Sequence, residues 1–413
     1  MIVSFGRYAL CVGFAAALLT GCGGTAPPTA ASASRSIAKP LASRSLQVIY
    51  SFQSMNDAQL PYSEDAPLLS SGGMLYGTAA GGITGEGCGV NCGTVFSVTP
   101  AGDEKLLYSF KGEPDAGNPL GPLITFNGTM YGLAASGGSN GNGAVYTLDS
   151  AGNERVIYSF KGGNDGSGPI GPLTPYKGKL YGTTMRGGKD NLGTVFAAEP
   201  SGKENVLYSF AYKVHGKADG SGPAAGVTVL NGELYGATTG GGNYAVGTVF
   251  GVTTAGKEHV VYSFMYGDDG ASPSSPLTAV DGKLYGTTAD GGGSNYLGTV
   301  FAVTPAGTER VLHRFLESLI DGDDPFSALV YHNNKFYGTT LLGGKRGVGI
   351  VFSLTKSGKE RVLHSFSGVP DGRYPTGGLT AIDNVFYGTT NEGGTGSSCP
   401  YGDGCGTVFA MHP

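Results

Sequence analysis

A chain of 413 residues is long enough to bury a sizeable core, and at about 150 residues per domain it would divide into two or three domains. Its formal net charge of −5, with no basic cluster, lacks the electrostatic footprint of a nucleic-acid binder. Gly (75) and Pro (22) approach a low-complexity composition, but the glycines hold fixed places in a long period, so they read as turn and close-packing residues.

Residues 1–21 carry one positive charge, Arg7, and then an apolar run from Tyr8 to Leu19. That run is too short to span a bilayer as a permanent helix and suits a signal-peptide core. Leu19-Thr20-Gly21-Cys22 resembles a bacterial lipobox, which implies acylation of Cys22 and export to a cell surface or outer membrane, with the lipid as the sole membrane contact. Residues 22–44 are Ala, Ser, Thr, Pro and Gly with almost nothing to bury, the composition of a disordered tether.

From residue 45 to 413 one sentence recurs seven times. Tyr-Gly falls at Tyr76, Tyr131, Tyr181, Tyr235, Tyr285, Tyr337 and Tyr387, each followed by Gly-x-Val-aromatic starting at Gly93, Gly143, Gly193, Gly247, Gly298, Gly349 and Gly406. An aromatic three-residue landmark begins at Tyr50, Tyr108, Tyr158, Tyr208, Tyr262, His313 and His364. A period of about 50 residues points to a propeller or a solenoid and overrides the multidomain prior. Within the third repeat, alternation and turn chemistry predict strands over 172–176, 179–184, 193–198 and 204–210, with Val206, Tyr208 and Phe210 on one face. Lys177-Gly178 and the matching Asn127-Gly128, Asn231-Gly232 and Asp281-Gly282 are two-residue hairpin turns. Four antiparallel strands per repeat make one propeller blade. The repeat region opens with a fourth strand and stops after a third, so strand 45–52 is expected to complete the last blade by pairing with 406–411. The fold class is therefore all-β, a seven-bladed propeller closed by its N-terminal strand.

These repeated motifs resemble the GloVer tandem repeat of bacterial surface proteins, a choice-of-anchor group. The resemblance spans 45–413 and implies a propeller at the cell surface, with the lipobox as this chain's anchor. It implies no established activity.

Four cysteines lie outside the leader. In an exported protein Cys88, Cys92, Cys399 and Cys405 read as two local disulfides, Cys88 with Cys92 and Cys399 with Cys405; a four-thiolate zinc site is the alternative. Both pairs sit in the longest loops between second and third strands, at the repeats that meet on closure. An aspartate recurs after each outer strand, at Asp57, Asp115, Asp165, Asp219, Asp269, Asp321 and Asp371, with Pro four residues later. A ring of carboxylates could hold calcium or a polyhydroxyl ligand, or the aspartates could be turn residues. An insertion in one connection adds Tyr212 and His215. No serine elbow, P-loop or His-Glu-x-x-His occurs, so no catalytic residue and no cofactor are assigned. The expectation is a monomeric, non-catalytic binding or scaffold module for a surface protein or glycan, the alternative being a carbohydrate-binding or carbohydrate-active propeller.

Overall fold

The structure, a computed structural model, describes residues 46–53, 66–80, 92–214, 216–315, 321–396, 399 and 404–413. The chain divides into two compact units, Met1–Ile37 and Ala38–Pro413, and every described residue belongs to the second. The expected leader, Cys22 and the tether lie outside the described residues, as do Asp57, Cys88 and His215.

The third repeat shows how the sequence becomes a blade. Its strands are Ser167–Tyr176, Lys179–Arg186, Thr194–Ala198 and Glu204–Ser209, hydrogen-bonded antiparallel in that order. The first hairpin turns at Lys177 and Gly178, with φ of 46° and 80°, the left-handed pair that a two-residue hairpin requires. Gly182 of the Tyr-Gly motif leaves room for a ring: a Cβ there would stand 2.6 Å from Cζ of Phe196. Seven such four-stranded sheets follow one another, blades 1 to 7, over residues 69–109, 124–159, 167–209, 228–263, 278–314, 330–365 and 380–411. The protein is a seven-bladed β-propeller.

The outer strand of blade 7 is Leu46–Ser51, which pairs antiparallel with Thr407–Met411, Leu46 opposite Met411 and Ser51 opposite Thr407. The expected closure is therefore present, with the pairing strands at 46–51 and 407–411 in place of 45–52 and 406–411. First strands of successive blades touch all the way round, including the last with the first. There Thr380 Oγ1 donates to the carbonyl of Leu68 at 2.5 Å.

Phenylalanine holds the blades together. The Phe ending each outer strand meets an aromatic of the next blade's third strand edge-to-face, as Phe160 with Phe196, Phe210 with Phe250 and, across the closure, Phe52 with Phe96. All seven seams have such a pair, with centroids 5.0–5.4 Å apart. Burying one such ring contributes about 1.5–3 kcal/mol, so the ring of contacts ties every blade to the next.

One expectation fails inside the outer strand. Val195 lies opposite Tyr208 but Phe196 lies opposite Val206, so Leu207 is the extra residue of a β-bulge. Val206 and Tyr208 therefore face opposite sides, while Tyr208 and Phe210 share one. The same bulge recurs in all seven blades. It also presents a carbonyl to the neighbouring blade: Gly256, in the turn between third and fourth strands of blade 4, would place a Cβ 2.4 Å from the carbonyl oxygen of Leu207.

Candidate functional site

The bulge fixes where each recurring aspartate goes, because it turns the hydroxyl of the outer-strand tyrosine toward the connection that follows. In blade 3, Tyr208 donates to Asp219 Oδ2 at 2.7 Å, Ala211 N–H donates to the same oxygen at 3.0 Å, and Gly220 N–H donates to Oδ1 at 2.7 Å. Asp115, Asp165 and Asp269 accept from Tyr108, Tyr158 and Tyr262 at 2.9, 2.8 and 3.1 Å. Histidine replaces tyrosine twice, with His364 Nε2 3.0 Å from Asp371 and His313 Nε2 3.5 Å from Asp321. Each carboxylate is held at a seam between outer strands, so the six are spread around the circumference and are not pooled at one mouth.

A glutamate from the next blade completes every described seam except that of blades 6 and 7, where Leu46 stands in its place. Glu154, Glu204, Glu258, Glu309 and Glu360 open outer strands, and the Oε1 of each is shielded from solvent without a hydrogen-bond partner among the described residues. Burial, followed by the facing aspartate, raises Glu154, Glu204 and Glu258 to about 8 and Glu309 and Glu360 to about 7. Two facing carboxylates cannot both ionise cheaply, and a proton on the glutamate supplies the donor that the arrangement lacks. The sequence reading missed these residues, although Glu four places before the Tyr or His in six of the seven outer strands was a visible signal.

Against this regularity one sector stands out. Connections between blades pair with the loop between second and third strands of the following blade, as Gly220–Ser221 with Gly240–Gly241 and Ala271 with Asp290, so both loop sets occupy one face. On that face Tyr212, Tyr244, Met265, Tyr266 and Tyr296 are exposed, from connections and loops spanning blades 3 to 5. Tyr266 and Tyr296 stack, with centroids 5.1 Å apart and planes at 24°, and remain 42% and 47% exposed. Both have positive φ, 70° and 59°. Other repeats fill the place of Tyr266 with Gly112, Gly162 and Gly368, and that of Tyr296 with Gly141, Asn191 and Gly347. A tyrosine in the left-handed region costs about 1–2 kcal/mol, and such strain gathers at functional sites. The sequence reading singled out Tyr212 alone; aromatics standing at glycine places of the repeat were the signal for the others.

Cys399 and Cys405 form a disulfide, with Cα atoms 5.4 Å apart, and Cys92 is disulfide-bonded. Two of the four thiolates of the zinc alternative are thus joined to each other. Cys405 packs with Phe52 and Phe96 at the seam of blades 7 and 1, whereas Cys92 packs with Phe110 and Tyr146 at the next seam. On the hairpin side of blades 6 and 7, Lys335, Arg361, Asn384 and His412 help line a polar cavity of about 340 Å³.

Among solved structures, selenomethionine-substituted virginiamycin B lyase from Staphylococcus aureus matches at 13% identity and a TM-score of 0.56, over 89% of this chain and 99% of that one. A luciferin-regenerating enzyme matches at 11% identity and 0.40, over 69% of this chain and 87% of its own. A gluconolactonase from Xanthomonas campestris matches at 12% and 0.39, over 69% and 82%. At these identities the likeness to the lyase shows the shared propeller fold alone. No match was found among curated proteins. The model of the Gloeobacter/Verrucomicrobia repeat matches residues 38–218 and 211–409, and with nearly the whole repeat region covered, the chain belongs to that repeat family.

Proposed function

We propose that this protein is a non-catalytic binding module, exported and held at the cell surface through Cys22, whose ligand docks on the aromatic face of blades 3 to 5. The stacked, exposed Tyr266–Tyr296 pair carries this reading, because it breaks the repeat where backbone geometry disfavours a side chain. A flat phenol surface, with the polar Ser294 and Asn295 directly ahead of Tyr296 in the chain, suits the apolar face of a pyranose ring with its hydroxyls paired at the edge, so the ligand class is a glycan. The names of the structural neighbours describe enzymes, and that chemistry is not carried over to this chain.

The test is a glycan array probed with the purified protein and with the double substitution Tyr266→Gly and Tyr296→Gly. Glycine relieves the strained backbone as it removes the stack, so stability should stay within about 1 kcal/mol of the parent. Binding to a glycan that is lost in the double variant supports the proposal. A silent array, or binding untouched by the substitutions, overturns it, and capture of a surface protein instead would establish the scaffold reading.

A further inference from the structure

Outside the aromatic face, the seam between blades 5 and 6 differs from every other described seam in its donor atoms. His313 comes from the outer strand Glu309–Arg314, Asp321 from the connection that follows, and Glu360 from the first position of Glu360–Ser365. One ligand atom from each lies within 4.8 Å of the other two. Asp321 Oδ1 is fixed by the Gly322 N–H at 2.8 Å, and the residue is 8% exposed. His313 Nε2 and Glu360 Oε1 are both shielded from solvent and neither makes a hydrogen bond, so a buried imidazole nitrogen and a buried carboxyl oxygen converge on Asp321.

The repeat supplies its own comparison. Blades 1 to 4 end their outer strands with Tyr108, Tyr158, Tyr208 and Tyr262, whose hydroxyls donate to the neighbouring aspartate and offer no metal ligand while protonated. Blade 6 has His364 on Asp371, but the glutamate place on its neighbour is Leu46, which sits opposite Met411 as Glu204 sits opposite Ala198. Imidazole, aspartate and glutamate thus coincide at one described seam, and there the tyrosine hydroxyl of the repeat has been exchanged for an imidazole nitrogen that can ligate a metal.

We propose that His313, Asp321 and Glu360 bind a divalent first-row transition metal of the zinc class, at a site independent of the tyrosine face. One imidazole nitrogen and two carboxylate oxygens match the ligand preference of zinc, manganese and iron(II). Three protein ligands leave a fourth position for water, and the 17% of the His313 side chain that stays exposed gives the ion a route in. The metal would partner the two unpaired buried atoms and bridge blade 5 to blade 6.

The experiment is calorimetry of untagged protein with zinc chloride, repeated on His313→Tyr, Glu360→Leu and His364→Tyr, with cobalt(II) absorption as a second readout. His313→Tyr restores the residue that five blades already carry, and Glu360→Leu copies the blade 6–7 seam, so both should melt near the parent. The expected result is one zinc per chain, weakened at least tenfold by His313→Tyr and by Glu360→Leu and unchanged by His364→Tyr. Visible cobalt bands should vanish in His313→Tyr. Absence of binding, or binding that persists in His313→Tyr, overturns the assignment.

Discussion

Glu204→Gln tests the seam carboxylates most directly, because glutamine has the shape of a protonated glutamate and cannot ionise. Glu204 moves from the ordinary 4.5 to about 8, through burial first and then Asp165. A folded-state value above the unfolded one means that the folded chain holds the proton more tightly. The stabilisation is complete below pH 4.5 and is lost as pH rises through 8. At about 1.4 kcal/mol per unit, the full displacement sets a ceiling of roughly 5 kcal/mol. The side chain keeps part of its surface in water, which screens the repulsion, so we expect about a third of that, roughly 1–2 kcal/mol. Urea unfolding at pH 4.5 should therefore find Glu204→Gln equal to the parent, and at pH 8.5 more stable by that amount. Glu199→Gln is the control, since Glu199 meets only Lys179 and Ser201, each at 3.5 Å on the surface, and should move stability by less than about 0.5 kcal/mol at either pH. If Glu204→Gln destabilises equally at both pH values, the glutamate is ionised in the folded state and the shared-proton account of the seams is wrong.

Three further outcomes follow from the packing. Tyr146 is fully buried where the other six seams place Phe, and its hydroxyl has no partner among the described residues, so Tyr146→Phe should raise stability by about 1 kcal/mol by denaturant titration; a loss would reveal a hidden partner. Deleting residues 46–52 opens the ring and exposes Phe96 and the edge of Thr407–Met411, and should cost several kcal/mol or prevent folding; an unchanged melting curve would refute closure. Gly256→Ala drives a methyl onto the carbonyl of Leu207 and should cost more than about 2 kcal/mol. Gly232→Ala, with similar φ but only Tyr176 Oη nearby at 3.5 Å, should cost about 1; equal losses would mean that backbone strain alone matters.

The architecture was legible because its signals are local and repeat. Hairpin dipeptides, alternation and a spare strand at residue 45 fix blade number, strand order and closure without knowledge of any contact. The bulge at Leu207 was not legible, since a five-residue alternation looks the same with or without an extra residue, and the displaced pairing is set by the third strand across from it. The seam glutamates were visible as a recurrence but not as a site. Only the twist that brings Glu204 against Tyr158 and Asp165 of the preceding blade turns residues of two repeats into one cluster. For the tyrosine face, sequence showed aromatics in loops; the stacking and the positive φ that mark Tyr266 and Tyr296 needed coordinates.

The strand that completes the last blade also sets the molecule's response to load. The chain enters it at Leu46, and among the described residues it is paired on one side only, through the ladder from Leu46–Met411 to Ser51–Thr407. A pull along that leading chain is therefore delivered to a single row of hydrogen bonds, with the buried Phe52 as a plug at its far end. Peeling from Leu46 would break those bonds one at a time, at low force, until the plug is drawn. Tension, more than heat, would choose where this ring first opens.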